Sequence, residues 1–246
     1  MKTKIITIGL VISAFIVNAQ DSQKTLADAI NSGNIENVKN AVEQQKADVN
    51  KPYKDKLFNN PPISTACFAL NVDAVNYLLE KGADPNAENK FGQTPLMVVC
   101  NSFYSDSASF AKINKIIKAL ASKSAKLNET GGGGFSALAY AASHNNLLGV
   151  KTLLELKADP NARKGKINES ALMYAAQKGN LEMVKALVEA GANLNDIKEH
   201  ADGNTLITEN AATMASDGKF NDVLDYLVSK GAKAPKGRSL GGKYKN

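Results

Sequence analysis

The sequence predicts an all-α solenoid of about six helix-turn-helix repeats joined by hairpin-like fingers. The main observation is a repeat: the 26-residue stretch from Ser170 to Asn195 recurs 34 residues upstream as Ser136 to Asn161. A more divergent copy runs from Pro61 to Asn86. Each copy holds two short apolar segments with helical spacing, separated by a turn. A period of this length is typical of stacked units, in which each repeat buries its apolar face against the next.

The residues inside one copy explain the shape of the unit. Ser170 supplies a side-chain oxygen for the free amide groups at a helix start. Ala175 and Ala176 keep that first helix thin, so that its neighbours can approach closely. Gly179 ends it, because the residue after a helix often needs a positive φ. The second helix has one apolar face, formed by Leu181, Val184, Leu187 and Val188.

These motifs resemble the ankyrin repeat, whose signature includes a T-P-L opening, an Ala-Ala pair, a turn glycine and a G-A-D-x-N ending. The opening stands almost unaltered as GQTPL at Gly92 to Leu96. The resemblance covers residues 25 to 235 and is most specific in repeats two, four and five. It implies an ankyrin-repeat fold, and a concave surface of fingers and first helices that binds another protein.

The first nineteen residues differ from the rest of the chain. Lys2 and Lys4 precede an apolar run from Ile5 to Val17, and the small residue Ala19 comes before Gln20. The run is thirteen residues long, shorter than the roughly 20 that span a bilayer. This pattern predicts a signal peptide over residues 1–19, cleaved before Gln20. A retained N-terminal anchor is the alternative.

We therefore expect an exported, bacterial-type protein, periplasmic or secreted, with no stable membrane insertion. The domain organisation is a signal peptide (1–19), an ankyrin-repeat domain (20–235) and a disordered basic tail (236–246).

Charge argues against nucleic acid as the partner. The formal net charge is +6, of which two belong to the leader and five to the last fourteen residues, so the repeat body carries about −1. The tail and a basic finger, Arg163, Lys164 and Lys166, leave open a binder of cell-wall glycan or lipid.

The two cysteines occupy the same position in consecutive repeats. Equivalent points of packed helices lie about 10 Å apart, whereas a disulfide needs Cα atoms within about 7 Å. Cys67 and Cys100 are therefore predicted to be reduced, buried thiols in place of alanine.

Several repeats depart from the pattern. Leu70 replaces the turn glycine of repeat two, which predicts an unusual turn. Repeat three has an insertion from Phe103 to Ala111, before a second helix predicted over Ile113 to Ala121. The four glycines from Gly131 to Gly134 do not lead into a phosphate-binding motif, and we interpret them as a mobile finger tip.

The sequence contains no arrangement typical of catalysis. His144 and His200 fall in different repeats and are not expected to share a metal. Glu199, His200 and Asp202 could form a weak metal site, but we interpret them as ordinary finger residues. We expect no enzyme activity, no cofactor and no metal.

The aromatic residues of repeats two to four indicate a recognition surface, since aromatic side chains are common anchors of protein interfaces. The alternative is that some of them, notably Phe58 and Phe110, cover the core. The predicted protein-binding residues are Tyr53, Phe68, Phe91, Asn101, Phe103, Tyr104, Phe135 and His144.

The function hypothesis is an exported, non-catalytic protein-binding module that is monomeric when free. It would act as an inhibitor or immunity protein of an envelope enzyme or toxin. The alternatives are an assembly or protective partner of a periplasmic enzyme, and the glycan or lipid binder.

Overall fold

The computed structural model describes residues 22–53, 59–104, 106–165, 169–202, 205–236 and 239–240. The predicted signal peptide, Phe58, Lys166 and most of the basic tail lie outside these ranges.

Helices in the described part of the chain form six consecutive pairs. The first helices of the pairs are α1 (22–32), α3 (Pro62–Phe68), α5 (Pro95–Cys100), α7 (Ala137–Ser143), α9 (Ala171–Gln177) and α11 (Ala211–Asp217). The second helices are α2 (Ile35–Glu43), α4 (Val72–Glu80), α6 (Ser107–Ser122), α8 (Leu147–Glu155), α10 (Leu181–Glu189) and α12 (Asn221–Ser229). Two strands, β1 (Lys198–Asp202) and β2 (Thr205–Glu209), form an antiparallel hairpin before α11.

The pairs stack into two layers. From α3 to α11 each first helix packs against the next first helix, and from α2 to α12 each second helix packs against the next second helix. One continuous core runs between the layers, with Leu78, Val99, Leu153 and Leu187 among its fully buried members. The predicted all-α solenoid of six helix pairs is confirmed.

The helix starts follow the predicted capping chemistry. Thr94 Oγ1 accepts a hydrogen bond from Met97 N, and Ser170 Oγ accepts one from Met173 N. Pro95 follows Thr94 at the first helical position, where a proline loses no hydrogen bond. Asparagine takes the same capping role at most second helices, namely Asn34, Asn71, Asn146 and Asn180.

The turn at Leu70 is not unusual, contrary to the sequence prediction. Leu70 has φ 49°, close to the φ of 57° at Asn145 and 66° at Gly179 in equivalent turns. The repeat geometry imposes the left-handed conformation whatever residue is present. A leucine there is strained by about 1–2 kcal/mol, but its side chain is buried.

The insertion in repeat three is largely helical, which corrects the predicted start of the second helix. α6 begins at Ser107 and not at Ile113, because Asp106 accepts a hydrogen bond from Ser109 N and caps the helix. Among the described residues, the irregular part between α5 and α6 is thus only 101–104 and Asp106. Phe110, on the added turn, is half-buried against the core, as the alternative interpretation proposed.

The fingers are tied together by a ladder of asparagine side chains. Asn50 accepts from Asp84 N, Asn86 from Lys126 N, Asn128 from Asp159 N, Asn161 from Asn193 N, and Asn195 from Lys233 N. These are the asparagines that end the repeat signature, and each bonds to the backbone of the following repeat. The period of the sequence therefore reappears as a row of hydrogen bonds.

The four glycines form a docked turn, which replaces the interpretation as a mobile tip. Gly134 N donates to Gly131 O at 2.7 Å, and Gly132 N donates to Phe91 O in the preceding finger at 3.1 Å. A Cβ at Gly132 would lie 2.7 Å from Phe91 O. Glycine is needed here because two fingers approach each other backbone to backbone.

Cys67 and Cys100 are buried, free thiols, as predicted. Burial raises the pKa of Cys100 to about 12. The pKa of Cys67 is raised further, by burial and by its proximity to Cys100. Neither sulfur is expected to react as a thiolate in the native fold.

The disordered tail predicted over residues 236–246 includes a described residue with ordered contacts. Leu240 is buried and belongs to the core, and its carbonyl oxygen accepts a hydrogen bond from Ser216 Oγ at 2.7 Å. The final repeat leaves an apolar surface that an isolated leucine can cover, although no periodic pattern marks it in the sequence.

Candidate functional site

The predicted binding residues fall into two groups at opposite ends of the first helices. We call Phe68, Asn101, Phe103, Tyr104 and His144 the helix-end cluster, because they lie at or after the C-terminal ends of α3, α5 and α7. The finger group is Tyr53, Phe91 and Phe135, which precede the first helices. A first helix of seven residues is about 10 Å long. The two groups are therefore separate patches.

The helix-end cluster draws one set of residues from each of three consecutive repeats. Phe68 is the last residue of α3, Asn101 caps α5 and His144 caps α7. Since α3, α5 and α7 are packed neighbours, these positions follow one another at the interhelical spacing of about 10 Å.

An aromatic contact joins the insertion to the next repeat. The rings of Phe103 and His144 meet edge to face with centroids 5.1 Å apart. His144 Nδ1 lies 3.0 Å from Tyr140 O and 3.0 Å from Ser143 Oγ, which holds the imidazole against its own helix. Phe103 still has 85 % of its surface exposed, so its ring is held in place without being buried.

The loop between α5 and α6, which carries Phe103 and Tyr104, is anchored at both ends. At its start Asn101 N donates to Met97 O, and the buried Ser102 Oγ donates to Val98 O. At its end the carboxylate of Asp106 accepts from Ser109 Oγ and Ser109 N. These hydrogen bonds hold the pKa of Asp106 below its usual value. The exposed Phe103 and Tyr104 thus project from a short loop with fixed ends.

Phe68 completes the cluster, with 55 % of its side chain exposed. Exposed apolar side chains are common singly. Three large aromatic residues in adjacent repeats are less common, and such clusters mark interaction surfaces.

The finger group is chiefly structural. Phe135 is half-buried and packs against Tyr140 at 5.6 Å and Tyr174 at 6.3 Å between ring centroids. Phe91 is exposed, as predicted, but its carbonyl holds the next finger and Lys90 Nζ lies 5.1 Å from its ring. Tyr53 is half-buried. Phe135 and the backbone of Phe91 thus link neighbouring elements, while the ring of Phe91 remains exposed.

Two tyrosines that the sequence analysis missed extend this network along the first helices. Tyr140 OH accepts from Gln93 Nε2 at 3.2 Å, and Tyr174 OH donates to Glu169 Oε2 at 3.2 Å. Burial, together with the charge of Glu169, raises the pKa of Tyr174 well above its usual value. Their matching places in ALAYAAS and ALMYAAQ are the signal that could have identified them.

Arg163 of the basic finger is held in a network with the next finger. The Arg163 guanidinium is nearly buried, pairs with Asp196, and donates to Ile197 O at 2.7 Å. Lys198 in the neighbouring hairpin pairs with Glu169 in the same way. Arg163 joins two fingers, and this weakens the hypothesis of a glycan or lipid site there.

The described residues hold no obvious metal site. His200 lies in β1 with its Nδ1 3.6 Å from Glu209 Oε2, and none of the described His, Cys, Asp and Glu side chains form a group of three or more that could hold a metal ion. Within the same ranges, no helix is long and apolar enough to cross a membrane.

Stacked helix pairs with exposed aromatic residues along one edge define a helical-repeat binding scaffold. The family is shown by two sequence matches. Residues 26–110 match the model for ankyrin repeats in three copies and residues 138–188 the model for ankyrin repeats in many copies, together more than half of the chain. The chain belongs to the ankyrin-repeat family, whose members generally mediate interactions between proteins and are typically non-catalytic.

Comparison with solved structures supports the fold. The crystal structure of the ankyrin repeat domain of Bcl-3, described as a unique member of the IkappaB protein family, is similar with a TM-score of 0.67 and 25% sequence identity. The alignment covers 85% of this chain and 86% of that chain. No curated protein matches the sequence.

Proposed function

We propose that this chain is an exported protein-binding module that recognises its partner through the helix-end cluster. The observation that carries the proposal is the exposure of Phe68, Phe103 and Tyr104 in adjacent repeats. The contacts described above hold Phe103 in position before binding, so that little side-chain freedom is lost when a partner covers it.

The specific role that we propose is inhibition: the chain blocks an enzyme or toxin of the cell envelope, as an inhibitor or immunity protein. It is supported by the signal-peptide pattern of residues 1–19 and by a surface suited to covering another protein. An assembly or protective partner of a periplasmic enzyme would use the same surface, and the two roles differ in whether the enzyme loses activity.

The binding surface is tested by capture from the envelope fraction of the native host. The double variant Phe103→Ala, Tyr104→Ala should lose the captured protein, because truncating a central aromatic anchor commonly costs about 2 kcal/mol or more. Leu148→Ala is the matched control, since Leu148 is 43 % exposed on α8 in the other layer. Equal capture by the wild type and the double variant would refute the proposed surface.

The role is tested on the captured protein. We expect its enzymatic activity to fall as the purified chain is added, and to be unaffected by the double variant. Unchanged activity with improved recovery or stability would favour the assembly role.

Export is tested by N-terminal sequencing of the protein from its native host. The mature chain should begin at Gln20 or within a residue or two of it. An intact Met1 in a membrane fraction would contradict the proposed export.

A further inference from the structure

The row of first helices is free of charge across four repeats. α3, α5, α7 and α9 contain no Asp, Glu, Lys or Arg, whereas each of the six second helices contains at least two charged residues. The pattern can be recognised only once the structure shows which helices form each layer.

The uncharged row has clear limits. α1 before it carries Lys24 and Asp28, and α11 after it carries Asp217. At the finger side it is bordered by Glu88 and Lys90. The helix-end cluster lies within these limits.

The outer positions of the row carry no charge. The fourth position of each first helix holds Thr65, Tyr140 or Tyr174, or in α5 the buried Val98, and the seventh holds Phe68, Ser143 or Gln177, with Asn101 directly after α5. Asp106, an acidic residue next to the cluster, lies outside the row, in the loop before α6, and its hydrogen bonds from Ser109 hold the pKa of its carboxyl below the usual value, so it stays charged. The four helices of the row themselves offer no charge to an ionised group of a partner.

The absence of charge in the row affects which partner side chains can bind there. An ionised side chain placed over the row would lose its hydration and gain no counter-charge, which is unfavourable. An uncharged apolar stretch would instead cover Phe68 and Phe103 and gain their burial.

We infer that the partner presents to the helix-end cluster a stretch of uncharged residues, with an aliphatic or aromatic side chain packed against Phe103. The inference rests on the proposed function and specifies the chemistry of its partner. Binding of this kind depends little on salt, since it neutralises no charges.

The probe is a phage-displayed library of random 16-residue peptides, selected on the intact purified chain. We expect to recover peptides that no longer bind Phe103→Ala. The stretch of each peptide that is needed for binding should lack Asp, Glu, Lys and Arg. Their affinity should change less than about threefold between 50 and 500 mM salt.

Charge substitution at Asn101 provides the sharper test. Both Asn101→Lys and Asn101→Asp should weaken the selected peptides by about tenfold or more, because either charge loses hydration against an uncharged ligand. The matched controls are Asn76→Lys and Asn76→Asp on α4, where Asn76 is exposed in the other layer. Melting curves by circular dichroism establish that all four variants fold.

The outcomes separate the two proposals. If Phe103-dependent peptides are rich in charge, and Asn101→Lys and Asn101→Asp act in opposite directions, the inference is wrong while the proposed function stands. If no recovered peptide depends on Phe103, the proposed surface fails and the inference with it. A dimer that forms with rising concentration and is abolished by Phe103→Ala would show that a second copy covers the cluster, and would also overturn the inference.

Discussion

Gly132 lies where two fingers meet, and the space there limits the size of its side chain. Its amide donates to Phe91 O, and an added Cβ would lie 2.7 Å from that oxygen. Backbone atoms cannot move aside as the end of a flexible side chain can. Any residue larger than glycine therefore forces the two backbones apart, although the φ of Gly132 is not in the left-handed region.

We predict that Gly132→Ala lowers the free energy of unfolding by about 1–3 kcal/mol, the usual cost of overpacking. Gly133→Ala is the matched control, because its Cβ would only touch the Phe135 ring, at 3.4 Å. Urea denaturation followed by circular dichroism measures both. Equal stability of the two variants would mean that the fingers are not docked here.

The buried thiols predict a pH dependence. The pKa of Cys100 rises from 9.0 to about 12 on folding, so the unfolded chain loses this proton at a lower pH than the folded one. The stability that this thiol contributes is complete below about pH 9 and is lost as pH rises towards 12. Cys67 behaves in the same direction.

We therefore expect Cys67→Ala, Cys100→Ala to lose less stability than the wild type between pH 8 and pH 10.5. Urea midpoints at the two pH values measure this. In the native wild type at pH 8 neither thiol should react with iodoacetamide, and rapid labelling of either would contradict the burial.

At the scale of elements, the ends of the second helices share one conformation. Gly82, Gly191 and Gly231 have φ of 87°, 93° and 97°, and Lys157 occupies the same place in repeat four with φ 70°. A lysine is strained in this left-handed conformation, because its Cβ lies too close to the following carbonyl oxygen.

Lys157→Gly should accordingly raise the free energy of unfolding by about 0.5–1 kcal/mol, the relief of strain being partly offset by the greater freedom of glycine in the unfolded chain. The control is Lys118→Gly in the middle of α6, an exposed lysine at which glycine should cost about 1 kcal/mol. Thermal melting measures both variants against the wild type. A Tm for Lys157→Gly below that of the wild type would show that Lys157 is not strained.

At the scale of the whole molecule, stability is shared among neighbouring repeats. Each repeat contacts the ones before and after it, so a stack loses stability when one interface is broken. Both ends also need covering. At the C-terminal end Leu240 packs against the last repeat, held through the bond from Ser216 to its carbonyl.

Leu187→Asp tests this cooperativity. Leu187 is fully buried in repeat five, and an unpaired carboxylate there should cost at least several kcal/mol. Much of the helical circular dichroism should disappear. Leu148→Asp, at an exposed leucine of α8, should leave the melting curve nearly unchanged, and equal curves for the two variants would mean that the assigned register is wrong.

The fold is predictable from the amino-acid sequence alone, because the signals that define it are local and repeated. The N-cap at Ser170, the left-handed glycine at Gly179 and the inward position of Leu187 each depend on residues a few places away. Repetition of these signals in six units makes the stack predictable. The same reasoning correctly identified Phe91, Phe103 and Tyr104 as exposed and the two cysteines as buried.

The grouping of those residues, in contrast, follows from contacts that form only in the folded chain. The structure separates the helix-end cluster from the finger group and pairs Arg163 with Asp196. It also places Gly132 against the carbonyl oxygen of Phe91 and buries Leu240. Each of these contacts joins positions more than twenty residues apart, and Arg163 and Asp196 are 33 apart. Local propensity carries no information about such pairs, since they form only when the stacking of repeats brings one finger or helix end against another.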